Sequence, residues 1–252
     1  MSAGGYGPAM SFTLTVLGSS GSYAGPGNAC SGYLISAGDA RIVMDCGPGT
    51  LSRLGEHVDL ARLDAVLLSH SHPDHWLELP ILRNALRYVL GREGLDVYGT
   101  AETRVLAEHL SGDLAPTFRW HDITAGDELD VGPLRVRTSR TDHPPETLAL
   151  RLDHDGRSLV YSADTGPEWD MADLGEGIDL ALVEATYLDE WQTGGVHLSA
   201  RQAGRMAREA GARSLVLTHL LPGADVEEYR RAAAEAYGAP VHVAEPGATF
   251  TP

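Results

Sequence analysis

The sequence predicts an α/β fold, an αββα sandwich in which two mixed β-sheets pack face to face with helices outside. Three observations predict it. Strand-like and helical runs alternate along the chain. The pattern falls into two halves, each a β-rich part followed by βα units, which suits two sheets with a helical cover each. No linker or low-complexity tract interrupts residues 11–252, which read as one domain. With 43% hydrophobic and 21% charged residues over 252 positions, the chain can bury the core such a sandwich needs.

The elements follow in order. SFTLTVLG (11–18) has the β-branched alternation of a strand and runs into a Gly/Ser-rich loop, GSSGSYAGPGNACSG. GYLISAG (32–38) and ARIVMDCG (40–47) read as a hairpin about a Gly38-Asp39 turn, and DAVLLSH (64–70) as a short buried strand. Residues 76–90 are helical by period, with Leu77, Ile81, Leu82, Ala85, Leu86 and Val89 on one face. A strand at 95–99 and a helix at 100–110 complete the first half. FRWHDI, ELDVGPLRVRTSR and TLALRLDHDGRSLVYSAD are β-rich, and DLALVEAT (179–186) is another buried strand. A helix at 199–211 with Ser199 as its cap, a strand at 214–220 and a helix at 225–238 follow. VHVAEPGATFT reads as a closing hairpin.

Composition narrows the function classes. The net charge of −16 makes a poor general binder of nucleic acid, where phosphate contacts rest on Lys and Arg. Arg83, Arg87 and Arg92 read as a solvated helix face rather than a basic groove. Cys30 and Cys46 lack C-x-x-C spacing and read as small packing residues, and two cysteines make no disulfide framework. A cytoplasmic location is the expectation. No apolar run approaches the roughly 20 residues of a membrane span. MSAGGYGPAM, residues 1–10, lacks the design of a signal peptide and reads as a disordered leader, with Met10 an alternative start.

The chemistry concentrates in SHSHPDHW, residues 69–76. In an extended segment residues two apart point the same way, so His70 and His72 can serve one metal. Pro73 fixes a bend, after which Asp74 and His75 can turn toward a second metal. Mixed imidazole and carboxylate donors suit Zn²⁺, and also Mn²⁺ or Fe²⁺. The bland reading, a capping Asp74 among histidines exposed by chance, accounts poorly for His-x-His-x-Asp-His directly after an apolar strand.

This loop resembles the signature of the metallo-β-lactamase superfamily. The resemblance implies three later ligands, each at the end of a strand, and all are present in order: His143 after RTSRTDHPP begins, Asp164 in SLVYSADTGP and His219 in SLVLTHLLP. It implies that His70, His72 and His143 take one metal, that Asp74, His75 and His219 take the other, and that Asp164 bridges them. With the glycine-rich first loop and the Asp45-Cys46-Gly47 turn, the likeness covers nearly all of residues 11–252.

Further motifs narrow the branch. Tyr161-Ser162-Ala163-Asp164-Thr165-Gly166, Val183-Glu184-Ala185-Thr186 and Val196-His197-Leu198-Ser199-Ala200 are similar to motifs of ribonuclease Z and its phosphodiesterase relatives. The resemblance implies that His197, supported by Glu184, works near the scissile phosphate. The bland alternatives are a loop histidine capping the 199–211 helix and a polar residue at a strand end. Two departures count against processing of transfer RNA. Val183 stands where ribonuclease Z has His, and only 21 positions separate His143 from Asp164, which leaves no room for an RNA-gripping arm. Thr15–Ser22, Ser31-Gly32-Tyr33-Leu34 and Asp142-His143-Pro144 look like the shorter cyclic-nucleotide and cyclic-phosphate phosphodiesterases.

The expectation is therefore a binuclear metal-dependent hydrolase. It would cleave a small anionic phosphodiester, first of all a 3′,5′-cyclic nucleotide, by a hydroxide shared between two divalent ions, Zn²⁺ before Mn²⁺ or Fe²⁺. Asp74 would orient that hydroxide, and His197 with Glu184 would bind or protonate. The alternatives are an RNA 3′-end endonuclease, an ester, thioester or lactone hydrolase, and a non-catalytic metal-binding scaffold. Relatives in this branch are often homodimers. His57, His109, His121, His154 and His242 have no motif around them and read as surface or simple hydrogen-bonding residues. Trp76 reads as packing, and Tyr23 and Tyr187 as candidates to touch a ring.

Overall fold

A computed structural model describes residues 12–192 and 194–252. The expected leader over residues 1–10 and the alternative start at Met10 lie outside the described residues.

Two sheets face each other, and each changes from antiparallel to parallel along its width. The first holds β1 (Phe12–Ser20), β2 (Ala29–Cys30), β3 (Gly32–Ala37), β4 (Ala40–Cys46), β5 (Ala65–Leu67), β6 (Leu95–Gly99) and β7 (Phe118–Asp122). The second holds β8 (Glu128–Val131), β9 (Leu134–Arg140), β10 (Leu148–His154), β11 (Arg157–Tyr161), β12 (Leu180–Glu184), β13 (Leu215–Thr218) and β14 (His242–Val243). A last strand, β15 (Thr249–Phe250), returns to the first sheet. The orders are β15-β1-β3-β4-β5-β6-β7, with β2 beside β1, and β14-β13-β12-β11-β10-β9-β8. The Gly38-Asp39 turn closes the β3–β4 hairpin, with Gly38 at φ 56° and Ala37 opposite Ala40.

Strand alternation explains the layers. Ile42 and Met44 of β4 and Leu182 of β12 point between the sheets, where they meet Leu14, Val16, Val136, Leu150 and Leu159. The alternate residues point outward and are covered by helices, so the inner strands are apolar on both faces. Val43 and Val66 lie under α1 (Thr50–His57), α3 (Leu79–Asn84) and α4 (Ala101–Ser111) through Leu54, Leu82 and Ala107. Ala181 and Val183 lie under α5 (Ala200–Glu209) and α6 (Val226–Tyr237) through Ala203, Ala207 and Ala233. Truncating an inner leucine such as Leu150 to alanine should cost about 2–5 kcal/mol. Ser199 caps α5 through a capping box with Gln202, as its sequence position suggested.

Three expectations are corrected. The closing segment is not a hairpin: β14 pairs parallel with β13, while β15 pairs antiparallel with β1. The Glu245-Pro246-Gly247 turn carries the chain from one sheet to the other, so each short strand completes a different open edge. The segment expected as one helix over 76–90 is broken into a short α2 (Pro73–Trp76), α3, and a wider π-turn over Ala85–Leu90 ended by Gly91 at φ 61°. Pro80 at the start of α3 and the wide turn shift the phase. Leu79, Leu82 and Leu86 are buried, whereas Ile81 and Val89 are 54% and 81% exposed. Arg83 and Arg92 are not a solvated face. The Arg83 guanidinium is buried and donates to the Asp113 carbonyl, and Arg92 donates to Leu60 O (2.9 Å) and to Leu63 O.

Both cysteines are buried free thiols, and burial pushes Cys30 up to about 11 and Cys46 up to about 12. Trp76 is buried, with its indole N–H donated to Ser71 O at 2.8 Å. His154 packs edge-on against Phe12, and His121 meets Asp96 at 2.7 Å. Among the described residues no helix is long and apolar enough to cross a membrane.

Candidate metal centre

The strands that carry the histidine loop and its distant counterparts all end at one rim. β4 and β5 run parallel, as do β11, β12 and β13. β9 joins them, because β9 and β11 are both antiparallel to β10. Asp45, His70, His143, Asp164, Glu184 and His219 therefore converge from strand ends onto a single space. His72 ends the extended run as the N-cap of α2, and Pro73 takes the first helical position. The turn of α2 then delivers Asp74 and His75 to the same rim.

The donor atoms form two trios with a carboxylate between them. His143 Nε2 is 3.1 Å from His72 Nδ1, and both His143 Nε2 and His70 Nε2 are 3.7 Å from Asp164 Oδ2. On the other side, His219 Nε2 is 3.2 Å from Asp74 Oδ2 and 3.4 Å from His75 Nε2. His75 Nε2 and His219 Nε2 face the other Asp164 oxygen, Oδ1, at 3.3 and 3.4 Å. Metal bonds of about 2.0–2.1 Å place tetrahedral donors roughly 3.3 Å apart, so both spacings fit a small divalent ion. His70 Nε2 and Asp164 Oδ1 are buried without a hydrogen-bond partner, a costly state that a cation between the donors would relieve. All the residues expected as ligands are thus brought together: His70, His72, His143 and Asp164 in one group, Asp74, His75 and His219 in the next.

Charge follows the same division. Burial pushes His70 well below the usual histidine range, with the neighbouring His75 adding to the effect. Burial also lowers His72, where His143 adds to it, and lowers His143. Neutral imidazoles are what a metal requires. Burial would lower His75 too, but the Asp164 and Asp45 carboxylates outweigh it and raise it well above its ordinary value. Burial opposes ionisation of Asp74 and Asp164. His219 and His75 prevail and hold both carboxylates below the usual range.

His197 lies beside this set, with Glu184 behind it. His197 Nδ1 donates to Glu184 Oε1 at 2.8 Å, and its ring lies 4.8 Å from that of His143 and 5.7 Å from that of His219. Its donor atom shares a cluster with Asp164 and His219. Burial would lower His197, but the Glu184 carboxylate raises it to about 8. The floor of the site is closed, with His70 and His75 side chains fully buried, while those of Asp74 and His197 are 11% and 19% exposed. The site opens where His72 and His197 are half-buried.

Four supporting groups were missed in the sequence. Asp45 accepts from His75 Nδ1 (2.7 Å), Ser69 N and Oγ (both 2.8 Å) and Tyr161 OH (2.8 Å). Ser22 N in the glycine-rich loop donates to Asp74 Oδ2 at 2.8 Å. Ser69 and Thr186 carry hydroxyls within 3.0 and 2.9 Å of His70 Nδ1 and His219 Nδ1. The Asp45-Cys46-Gly47 turn and the Glu184-Ala185-Thr186 run were visible, but nothing local says which histidine each would hold.

Residues 40–220 match the β-lactamase superfamily domain. The chain belongs to the metallo-β-lactamase superfamily. Within this superfamily it is 35% identical over 258 residues to an uncharacterized protein of Mycobacterium tuberculosis, covering 98% of this chain and 94% of that one. It is 31% identical over 245 residues to the probable metallo-hydrolase YhfI of Bacillus subtilis, covering 93% and 97%. The crystal structure of YhfI superposes with a TM-score of 0.88 over 97% of this chain and 100% of that one, at 30% identity. Ribonuclease Z of Mycobacterium bovis is 31% identical over 255 residues, covering 88% and 91%. A metallo-β-lactamase hydrolase fold with two adjoining donor trios is therefore the frame for the chemistry.

Proposed function

We propose that this metallo-hydrolase is a two-metal phosphodiesterase acting on a small phosphodiester, with a 3′,5′-cyclic nucleotide as the first substrate to try. The observation that carries the reading is the His197–Glu184 pair, set at 2.8 Å over the mouth of the donor set. His70, His72 and His143 would hold one ion, Asp74, His75 and His219 the other, and Asp164 would span them with its two oxygens. When bound, two divalent ions, Zn²⁺ first, supply an activated water at neutral pH and positive charge for the phosphoryl oxygens. Asp74 Oδ2, which accepts from Ser22 N at 2.8 Å, is placed to orient that water. His197, whose Nδ1–H is held by Glu184 at 2.8 Å, is placed to donate a proton from Nε2 to the leaving alkoxide.

Several features favour a small substrate over RNA. Between His143 and Asp164 the chain makes only β10, β11 and a tight turn at Asp155-Gly156. The net charge is −16, which opposes a polyanion except at the metals themselves. The likeness to ribonuclease Z supports phosphorus chemistry and keeps an RNA 3′-end endonuclease as the second reading. Carbonyl esters come third, since their hydrolysis has less need of an acid beside the leaving group. A cytosolic location accords with the two unpaired thiols.

The test is hydrolysis of bis(p-nitrophenyl) phosphate and 3′,5′-cyclic AMP by protein loaded with Zn²⁺ or Mn²⁺. Turnover of both supports the proposal. Turnover of the generic diester alone moves the substrate to RNA ends or other cyclic phosphates. Turnover of neither, with two metals bound, sinks the phosphodiesterase reading.

A further inference from the structure

The histidines around the centre are gripped from behind by two buried carboxylates arranged in the same way. Asp45 Oδ2 takes His75 Nδ1 directly at 2.7 Å and Ser69 Oγ at 2.8 Å, and Ser69 Oγ lies 3.0 Å from His70 Nδ1. Glu184 takes His197 Nδ1 directly at 2.8 Å and Thr186 Oγ1 at 2.7 Å, and Thr186 Oγ1 lies 2.9 Å from His219 Nδ1. Each carboxylate thus holds one imidazole itself and a second through a hydroxyl.

A hydroxyl has one proton to give. Every group around Glu184 is a donor: the N–H groups of Thr165, Thr186 and Leu198, His197 Nδ1 and the Thr186 hydroxyl. The Thr186 proton therefore goes to Glu184 Oε2, and its oxygen is left to accept from His219 Nδ1–H. A neutral imidazole with its proton on Nδ1 has a bare Nε2. The alternative tautomer has a strong local incentive. Asp74 Oδ2 at 3.2 Å and Asp164 Oδ1 at 3.4 Å would both accept a proton placed on His219 Nε2, which would close that nitrogen to a metal. Ser69 works the same way on His70, whose Nε2 is buried and unpartnered.

We propose that Thr186 and Ser69 are positioning residues that lock His219 and His70, one in each trio, in the metal-binding tautomer. Glu184 and Asp45 are the final acceptors. Glu184 then serves two tasks, orienting His197 directly and preparing His219 for its metal through Thr186. This rests on the two-metal reading of the site and not on the identity of the substrate.

The experiment is zinc binding to the full chain by chelator competition, with urea unfolding as the control for folding. Thr186→Val keeps the size of the side chain, and Glu184 Oε2 keeps the N–H groups of Thr186 (3.1 Å) and Leu198 (3.2 Å). It should leave one zinc bound as in the parent and weaken the other by about 10–100-fold. Thr186→Ser should restore parental affinity, and Ser69→Ala should weaken one zinc by a similar factor. Two zincs bound by Thr186→Val at parental affinity would overturn the proposal. So would Thr186→Ser as weak as Thr186→Val, since the methyl group and not the hydroxyl would then matter. Should Thr186→Val fail to fold, ¹⁵N–¹H NMR of the zinc-loaded parent decides: the proposal requires a proton on His219 Nδ1, and its absence refutes it. No substrate enters these readouts, so inactivity toward phosphodiesters would leave this inference standing.

Discussion

Replacing Glu184 with glutamine in the metal-free protein isolates the partnership that raises His197. The carboxylate at 2.8 Å overcomes burial and lifts the ring from 6.5 to about 8. A rise of about 1.5 units is worth about 2 kcal/mol, at about 1.36 kcal/mol per unit. A histidine that binds its proton more tightly folded than unfolded stabilises the fold fully below about pH 6.5, and that stabilisation disappears as pH rises through about 8. Glutamine keeps the shape but not the charge, and burial then leaves the ring below its ordinary value. Glu184→Gln should therefore cost about 2 kcal/mol more at about pH 5.5 than at about pH 9, measured from urea unfolding. The N–H groups of Thr165, Thr186 and Leu198 also lose part of their acceptor, but at every pH alike, so the difference between the two conditions reports the pair. The His197 ring proton, followed by NMR, should titrate near 8 in the parent and below 6.5 in the variant. An equal penalty at both pH values, or a parent His197 titrating at or below 6.5, would refute the argument.

Other expectations concern the loaded enzyme and its backbone. His197→Ala should keep two metals per chain and lose about 10²–10⁴-fold in kcat on an alkyl leaving group such as that of 3′,5′-cyclic AMP. It should lose far less on bis(p-nitrophenyl) phosphate, whose leaving group needs no proton; equal losses on both would remove the acid role. His72→Ala and Asp74→Ala should each abolish hydrolysis in a folded chain, read by kcat beside circular dichroism, and retained turnover in either would contradict the two-trio assignment. Gly47→Ala would set a Cβ 1.9 Å from Asp74 O, a backbone clash at the start of the Asp74-His75 turn. It should cost about 1–3 kcal/mol and weaken zinc binding. Gly204→Ala, whose Cβ would meet Ala233 O at 2.4 Å between α5 and α6, should cost stability with zinc binding intact, so a parallel zinc loss there would show that Gly47 acts only through the fold.

What the sequence made legible was what it wrote contiguously or repeated at strand ends. His70, His72, Asp74 and His75 lie within one loop. His143, Asp164 and His219 each end a strand-like run, and the resemblance of the loop to a known signature implied a ligand at each of those ends. The supports were hidden because they act across the fold. Asp45 meets His75 from 30 residues away and Thr186 meets His219 from 33. An aspartate ending one strand and a threonine following another carry no mark of their partner. The period of residues 76–90 was a true helical signal, yet Pro80 and a π-turn rotated the buried face toward Leu79, which no count of spacing reveals. The closing turn failed for a related reason. Two strands bracketing Pro-Gly look like a hairpin whether they pair together or with two different sheets.

The backbone around the centre shows what the two sheets contribute beyond a scaffold. Among the described residues, five non-glycine residues adopt left-handed φ, and four of them border the metal site: Ser22 (67°), Asp45 (56°), Ala163 (51°) and His219 (61°). Each such residue costs of the order of 1–3 kcal/mol and persists only where its surroundings over-determine it. Those surroundings are visible. Ala163 is fully buried in the inter-sheet core beside Tyr161, and Ser162 N is tied to Leu182 O at 3.0 Å. On the far side of the site, Gly21 N is tied to Leu220 O at 3.0 Å, next to His219. The left-handed turn at Ala163 aims Asp164 between the trios, and the one at His219 brings its own ring in beside Asp74. A strand leaving the sheet with ordinary geometry would point either side chain elsewhere. The strain at the rim is thus held by packing in the core, and the precision of the donor set depends on residues that never touch it.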